Sequence, residues 1–516
     1  MHRLMEWKDN CRLARMMNVS SPYFDPDFDK LVERINGPAL TVRIDNESLE
    51  DCSIIKINRI KKQDLLLEVV QTLTDLSLTI TKGYISSDAD WFMDAWYGRI
   101  TSHTTRKVFH VKDQHGNKLD DLSANYIQQR MQAIGAWKSS SESHTAEPPP
   151  QESTTLEIKA IDRPGLFSEI SAVLADLRCN IIEAHTWTHN ARLACIAYIS
   201  DPSSHTLTVD PPRLSSIEEH LTAVLRTTTT SIDVKQQVAK TADIPRRKGM
   251  ITNVERRLHQ LMLSIRDFDS LPHEASSSSS VSDDEGRKTL VSIESCNEKG
   301  YSIVMVECRD HPRLMFDTVC TLIDMQYVIF HAFIRSHDGS AFQEYFIRNT
   351  DGCLLNTKDE KDRAITCLEA SINRRVSEGV KLEICADNRL GLLSNITRVL
   401  RENGLAVVRA DVETEGEKAI DNFYVRDTSG KNVDMETLEL IKRELGAPVH
   451  HLHVRKETGL MPSLNQPHGF HIQDVKKFRR FSLCDMLRFQ FSSIRDMLKS
   501  HLKRFCKFVM GVLTLR

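Results

Sequence analysis

The residues best suited to bind a small molecule lie in a short loop, Asp162-Arg163-Pro164-Gly165, that joins a predicted strand to a predicted helix. Pro164 fixes the turn, Gly165 has no side chain, and the first N–H groups of the helix have no partner within it. A helix N-terminus attracts a carboxylate, and Asp162 beside it can bind an ammonium group. A loop that offers both suits a free amino acid, although an isolated Pro-Gly more often only starts a helix.

The helix after this loop belongs to a segment that occurs four times, with copies that begin at Leu66, Phe167, Met315 and Leu393. Apolar residues at positions i, i+3, i+6 and i+7 of each copy form one stripe, which predicts an amphipathic helix. Internal repeats determine the architecture of a chain before any single residue does. They indicate recognition rather than a single catalytic centre.

The surroundings of the helix repeat as well. One short alternating segment precedes each copy, and two strands and a second helix follow it. The preceding strands are predicted at Ser53–Ile57, Thr155–Ile161, Ser302–Cys308 and Val380–Cys385. A final short strand would complete a ferredoxin-like βαββαβ unit. The predicted fold class is therefore α+β, with four such units in tandem.

We place unit one at residues 38–137, unit two at 153–230, unit three at 288–375 and unit four at 378–456. The segment between units one and two is rich in Ser, Glu and Pro, and the segment between units two and three contains an amphipathic helix around Val254–Phe268 followed by a run of Ser; both are expected to contain disordered linkers. A basic amphipathic tail is predicted at residues 470–516. Within unit one, Ala95–Lys107 interrupts the third strand and is expected to pack poorly and to be dispensable.

A lone four-stranded sheet leaves an open edge, so the units are expected to pair side by side through their sheets. Units three and four have only a short connection and are the pair expected to share an interface. A small residue lies at the same place on the second strand of every unit: Gly83, Ala184, Ala332 and Ala410. These residues permit either the close approach of a neighbouring unit or ligand, or the packing of a helix within one unit.

The loop Asp162–Phe167, within a βαββαβ unit, resembles the ACT domain, a small regulatory module that commonly binds amino acids. Four such units, together with Glu255–Met262 and Pro22–Pro26, are similar to the plant ACT-domain-repeat (ACR) proteins. The resemblance extends from about Tyr23 to Val454. It implies that a ligand contacts Asp162, Gly165 and Asn180 in unit two.

The other copies depart from this pattern to different degrees. Unit four keeps Asn388 and Gly391 but has Ala406 at the position of Asn180. Unit three has Arg313 in place of the glycine, and unit one, with Lys61–Asp64, has neither Pro nor Gly. Units two and four are therefore the predicted ligand-binding units, and units one and three are expected to be structural partners or to bind something different.

The composition limits the remaining possibilities. The chain has 516 residues, a net charge of −3 and 12 cysteines without a CxxC pair, which argues against a zinc module and a disulfide framework. No metal or cofactor is expected, and a cytoplasmic location fits best, with a nuclear or peripheral membrane location as the alternatives. No apolar run is long enough to span a membrane.

Two other functions are disfavoured by specific residues. A bacterial relative of this family, a uridylyltransferase, needs paired Asp residues after a Gly-Ser loop, but Gly339-Ser340 leads into Ala341–Glu344 without an Asp-x-Asp. Catalysis is therefore not expected. RNA-recognition modules share the βαββαβ topology but need aromatic residues on their central strands and a basic face. The first strand here is aliphatic, so no nucleic-acid partner is expected.

The tail has eleven Lys or Arg against two Asp from Val475 to Arg516, so the remaining chain is acidic. Apolar residues from Ile494 to Phe505 fall near one helical face, which suits an anionic membrane surface. A disordered tail, or a helix that binds the acidic units, is the alternative. The sequence thus predicts a non-catalytic regulator that binds an unidentified amino acid, signals amino-acid or nitrogen status by domain rearrangement, and contacts a protein partner or itself. A scaffold of repeats with a membrane-binding tail is the alternative function.

Overall fold

The structure, a computed structural model, describes residues 41–60, 65–86, 104–136, 153–201, 209–226, 237–246, 250–269, 289–298, 300–375, 380–429, 433–446 and 449–456. Several sequence predictions lie outside these ranges: the tail, the linker between units one and two, the loop of unit one at Lys61–Asp64, and residues 95–103 of the insertion. They stay predictions. The segment between units two and three is described in part. It forms a strand at Val238–Ala242, for which the expectation of a disordered linker was wrong, and the expected helix, at Ile251–Ser264.

Units one and two contain the first eight strands and four helices of the described residues. Unit one has β1 (Thr41–Asp45), β2 (Ser53–Ile60), α1 (Leu65–Asp75), β3 (Thr79–Ser86), β4 (Thr104–Lys112) and α2 (Asp121–Ala136). Unit two has β5 (Thr154–Ile161), α3 (Leu166–Asp176), β6 (Asn180–His189), β7 (Arg192–Ser200), α4 (Pro211–Arg226) and β8 (Val238–Ala242).

A connecting helix and two further units follow. The connecting helix is α5 (Ile251–Ser264). Unit three has β9 (Leu290–Cys296), β10 (Tyr301–Arg309), α6 (Leu314–Asp324), β11 (Tyr327–His337), β12 (Ser340–Asn349) and α7 (Lys358–Asn373). Unit four has β13 (Val380–Asp387), α8 (Leu392–Glu402), β14 (Leu405–Glu415), β15 (Lys418–Asp427), α9 (Met435–Leu445) and β16 (Val449–Lys456).

The predicted α+β fold of four ferredoxin-like units is confirmed, but the order of strands differs between the units. Units two and four follow βαββαβ, and the fourth strand of unit two lies beyond residue 230. In units one and three the edge strand beside the first core strand comes from the segment that precedes it, as β1 and β9, so their order is ββαββα. A hairpin from the N-terminal side completes these two sheets equally well, because β1 and β9 pair antiparallel with β2 and β10.

The units pair through their sheets, as expected, but the partners alternate along the chain. One eight-stranded sheet has the order β1-β2-β4-β3-β11-β12-β10-β9, and the other has the order β16-β13-β15-β14-β6-β7-β5-β8. Unit one therefore pairs with unit three, and unit two pairs with unit four. The expectation that units three and four pair with each other was wrong, because a short connection constrains distance but not which sheet edges meet.

The small residues on the second strands lie at these junctions. Gly83 is opposite Ile334 across the β3–β11 junction, and Ala184 is opposite Val412 across the β6–β14 junction. A Cβ at Gly83 would lie 3.2 Å from Ile334 of the neighbouring unit and 3.4 Å from Phe109 of its own unit. Gly83 thus permits the close approach of the neighbouring unit; the contact within its own unit comes from strand β4 and not from a helix, so the helix-packing interpretation is not supported at this position.

The last part of the predicted insertion belongs to the fold. Thr104–Lys107 form the start of β4 and pair with β2 and β3. Lys107 is only 2% exposed. The expectation that the whole of Ala95–Lys107 packs poorly was therefore wrong for these four residues. They are the first residues of the strand β4 and continue its pairing with β2.

Each pair of units has one hydrophobic core between its sheet and its helices. The apolar stripe predicted for the first helix faces this core, as Leu393, Ile396 and Leu400 of α8 illustrate. Helix α5 covers the opposite face of the sheet of units two and four, where Leu258 and Met262 pack against strand residues such as Trp187 and Tyr198. Its other side contacts α1 and α6, so α5 lies between the two pairs.

Candidate functional site

The first helices of units two and four begin in the same way. Gly165 (φ 84°) and Gly391 (φ 80°) are the N-cap residues of α3 and α8, and both adopt the left-handed conformation that favours glycine. Neither cap has a side chain that accepts a hydrogen bond from the helix. The N–H groups of the first turn are therefore not capped by a side chain and give each loop a positive partial charge.

A partly open cavity of about 30 Å³ lies at the N-terminus of α8, between units four and two. Unit four contributes the loop with Asn388 and Gly391, and unit two contributes Asn180 at the start of β6. We call this cavity the unit-four cleft. The remaining lining residues come from both units: Ser171, Ala175, Cys179, Ile181, Arg389, Leu390, Leu392, Leu393, Ser394, Val412, Thr414, Ala419 and Asp421.

Three of the five predicted ligand-binding residues, Asn180, Asn388 and Gly391, thus line one cavity. Asp162 and Gly165 are not among its lining residues. The resemblance implied that Asn180 acts with the loop of its own unit, whereas the structure places it in one cavity with the loop of the paired unit. Such a grouping cannot be found without the pairing of units, because residues 180 and 388 are far apart in the chain.

Asp421 of β15 is the feature of the unit-four cleft that the sequence analysis missed. Its side chain is 1% exposed, and Oδ1 has no hydrogen-bond partner. Burial raises the pKa of Asp421 to about 7. A carboxyl group in this state gains from a cationic partner, because an isolated buried charge is costly. The signal in the sequence is an Asp in the inward row of a strand, between Ala419 and Phe423.

The loop of unit two has a different environment. A Cβ at Gly165 would lie 2.5 Å from Cδ of Arg401 on α8, so this side chain occupies the space above the helix N-terminus. Burial raises the pKa of Asp162 to about 7, although Arg163 opposes this. Arg163 itself forms a bidentate ion pair with Glu169. The start of α3 at Gly165 therefore faces a space that Arg401 already occupies, while Asn180 lines the unit-four cleft.

In unit three, Arg313 replaces the glycine and also adopts the left-handed conformation, with φ 70°. Its guanidinium forms an ion pair with Glu255, which is 2% exposed on α5. On unit one, Asp75 at the end of α1 accepts hydrogen bonds from the backbone N–H and the hydroxyl of Thr252. Units one and three thus hold the N-terminal part of α5, which agrees with their expected role as structural partners.

Buried charges fasten α5 to unit three. Asp317 of α6 accepts bidentate hydrogen bonds of 2.6 Å from Arg375 and one of 2.9 Å from Nε2 of His259. Burial alone would raise the pKa of Asp317, but Arg375 and His259 outweigh it and hold the pKa well below its usual value. Arg375 also binds Glu255. The Glu255–Met262 motif is therefore used to connect the two pairs of units.

A second buried cluster lies at the β6–β14 junction. His185 of unit two contacts Glu183 through Nε2 at 2.9 Å and Asp411 of unit four through Nδ1 at 2.8 Å. Burial lowers the pKa of His185, but its hydrogen bonds to the two carboxylates outweigh it and raise the pKa to about 9. Because both ring nitrogens face carboxylates, His185 is a cation at neutral pH. Arg409 beside Asp411 lies 3.8 Å from Glu255, which links this junction to α5.

Other kinds of site are not found in the part of the chain that the structure describes. No group of three or more His, Cys, Asp or Glu residues there is placed to hold a metal ion. Among the same residues, no helix is both long and apolar enough to cross a membrane.

Comparisons with known proteins agree with this architecture. Residues 48–138 match the family model of the ACR family N-terminal ACT domain, and residues 154–226 match the ACT domain. The chain is 53% identical to ACT domain-containing protein ACR2 of Arabidopsis thaliana, over 92% of this chain and 98% of the relative. It is 47% identical to ACR3 of the same plant, over 84% and 90%.

A more distant likeness covers less. Over 30% of this chain and 21% of the relative, the identity to a bifunctional uridylyltransferase/uridylyl-removing enzyme of Haemophilus influenzae is 25%. The plant relatives match nearly the whole chain at far higher identity. The chain therefore belongs to the ACR family of ACT domain-containing proteins.

Proposed function

We propose that this protein is a non-catalytic regulator that binds a free amino acid in the unit-four cleft and reports amino-acid or nitrogen status. Membership of a family of ACT domain-containing proteins supports a regulatory role. The observation that carries the proposal is the unpartnered Oδ1 of Asp421, buried in a cleft that also contains the α8 N-terminus.

The polar groups of the cleft match the two charges of an amino acid. The ligand's carboxylate accepts hydrogen bonds at the uncapped start of α8, beside Asn388 and Gly391. Its ammonium group binds Asp421, and the amide of Asn180 on the opposite unit completes the polar wall. A cavity of about 30 Å³ has room for about two water molecules, so binding of any amino acid requires the two units to separate.

Binding reaches the rest of the molecule through β14. Val412 and Thr414 line the cleft, while Arg409 and Asp411 on the same strand belong to the buried cluster near α5. A ligand that favours one separation of units two and four shifts the population of that arrangement. A protein partner that recognises this arrangement then reads the ligand's concentration.

A thermal-shift screen of the full chain against the twenty amino acids tests the proposal. A ligand at 100 times its dissociation constant stabilises the native state by about 2.7 kcal/mol if it does not bind the unfolded chain. Gly391→Val should abolish the response because its side chain fills the cleft. Gly352→Val is the matched control, since Gly352 has a similar φ of 86° and no atom within 4 Å of its Cβ position.

The result that overturns the proposal is the absence of stabilisation by any amino acid, or a response that survives Gly391→Val. The scaffold of repeats, with binding partners for its sheets and tail, would then be the better explanation of the four units.

A further inference from the structure

Units two and four are related by an approximate twofold axis. Ser171 Oγ lies 2.8 Å from Thr397 Oγ1, and His185 Nδ1 lies 2.8 Å from Asp411 Oδ1; in both pairs the partners are 226 residues apart. The bulges of β6 and β14 fall at the same offset. Each residue that lines the unit-four cleft therefore has an equivalent near Asp162 and Gly165. We call that second region the unit-two cleft.

The helices leave different amounts of space in the two clefts. In the unit-four cleft, the nearest atom to a Cβ at Gly391 is Cβ of Ala175, at 3.8 Å. The equivalent of Ala175 is Arg401, whose Cδ lies 2.5 Å from the Cβ position of Gly165. The two loops are alike, so the difference in space comes from the residue on the partner helix.

The strands that line the two clefts, β15 and β7, also leave more space in the unit-four cleft than in the unit-two cleft. Ala419 lines the unit-four cleft, and its equivalent is the larger Leu193, which is fully buried. Asp421, with its unpartnered carboxylate oxygen, corresponds to the buried thiol of Cys195. The strands of the unit-two cleft thus provide less room and no charge for an ammonium group.

The facing amide is also lost from the unit-two cleft, because the equivalent of Asn180 is Ala406. Asp162 does supply a carboxyl group, in the position of Asn388. It lies in the loop itself, however, and the aliphatic part of Arg401 covers the helix start at Gly165 three residues later. The unit-two cleft therefore has the carboxyl group of Asp162, but it lacks equivalents of Asp421, of Asn180 and of the open space at Gly391.

We propose that the paired units bind one amino acid per chain, in the unit-four cleft, and that Arg401 and Leu193 close the unit-two cleft. This inference rests on the proposed function and concerns which of two equivalent clefts performs it. The loop that best fits the Asp-Arg-Pro-Gly pattern is then the closed one, and Ala175 against Arg401 is the pair of residues that sets the difference.

Isothermal titration calorimetry of the full chain with each of the twenty L-amino acids tests the number and place of sites. We expect one molar equivalent for the amino acid that binds. Asp421→Asn and Ala175→Arg should each abolish the heat of binding. Their matched partners in the unit-two cleft, Cys195→Ala and Arg401→Ala, should leave the affinity of that equivalent unchanged.

Two results overturn this inference while the proposed function stands. One is two equivalents for the unaltered chain. The other is a single equivalent that survives Ala175→Arg and disappears on Cys195→Ala. Absence of binding by all twenty amino acids overturns the proposed function instead.

A measurement without ligand decides between open and closed clefts in every case. Asp421→Cys places a thiol at the position equivalent to Cys195, so both can be alkylated with iodoacetamide in the same molecule and followed by peptide mass spectrometry. The thiol at position 421 should react several-fold faster than Cys195. Equal rates, or faster reaction of Cys195, contradict a closed unit-two cleft.

Discussion

Units three and four, which belong to different pairs, share the same helices and central strands but use the start of the first helix differently. Gly391 caps α8 and leaves a cavity above it. Arg313 stands at the same position of unit three, with nearly the same backbone conformation, and its side chain binds Glu255 of α5. Arg313 at this position holds a helix of the same chain, whereas a glycine leaves space that stays open at Gly391 and that the partner helix fills at Gly165.

Breaking the attachment of α5 to unit three should have the largest effect on stability. Asp317→Ala removes the bidentate partner of Arg375, which keeps its bond to Glu255. It also removes the acceptor of His259 Nε2, and the loss costs about 3–5 kcal/mol. Urea denaturation of the full chain at pH 7 measures the loss. Glu402→Ala, which removes an exposed ion pair with Arg398, is the control and should change the free energy of unfolding by less than about 1 kcal/mol. Similar losses for both variants would refute the buried attachment.

The junction of units two and four should be sensitive to alkaline pH. Because the folded pKa of His185 is raised to about 9, its stabilising contribution is complete below the unfolded value near 6.5 and is lost as the pH rises through 9. We expect a loss of about 2–3 kcal/mol between pH 6 and pH 10 that His185→Gln removes. The exposed His337→Gln serves as the control. An unchanged pH dependence in His185→Gln would contradict the charged state of His185.

Asp421, the buried carboxyl group of the unit-four cleft, should destabilise the fold when no ligand occupies the cleft. The folded pKa of Asp421, about 7, lies above its usual value, so ionisation destabilises the fold above pH 7 and does so less as the pH falls toward 4. Asp421→Asn should therefore stabilise the protein by about 1–3 kcal/mol at pH 8, and by less at pH 5. The same variant should lose its response to amino acids. A destabilised variant that still responds would exclude Asp421 as the ammonium acceptor.

Transferring the residue of unit three into unit four should convert one kind of loop into the other. Gly391→Arg places a side chain in the cleft at a left-handed position and should cost about 1–2 kcal/mol while abolishing the thermal response. Gly391→Ala is the control: it has a comparable backbone cost, but its Cβ makes only an ordinary contact with Ala175. Thermal-shift assays should therefore find a response in Gly391→Ala alone, and a response in both variants would argue against the cleft.

The repeated helices and strands could be predicted from the sequence because their apolar periodicity is local. The stripe of α8 faces the core as its spacing of Leu393, Ile396 and Leu400 indicates. The strands β1 and β9 were not expected before the repeated segment, because a short edge strand has a weak pattern and its position in the sheet depends on partners. The fold class was thus accessible, and the strand order was not.

The residues that each unit contributes to the candidate site could be predicted from the sequence, but their meeting in one cleft could not. The loop with Asn388 and Gly391 has a local signature, and so does the position of Asn180 after a helix. That these residues meet follows from the β6–β14 junction, which no local pattern specifies. The filling of the other cleft by Arg401 depends on the same junction, and Arg401 on its own is an ordinary exposed residue of a helix.

The alternating partnership of the units has a consequence for the order in which the chain is made. The junction of β6 with β14 joins residues 226 positions apart, and unit three is synthesised between them. At about 5–20 residues per second, the ribosome needs on the order of 10–45 s to supply the partner edge. Throughout that time β6 presents an unpaired edge, and until β11 has been made β3 presents a second one. In nascent chains, the pairing of these two strand edges is therefore delayed. Slow translation, or a truncated message that ends before β11, leaves the edges of β3 and β6 unpaired at the same time.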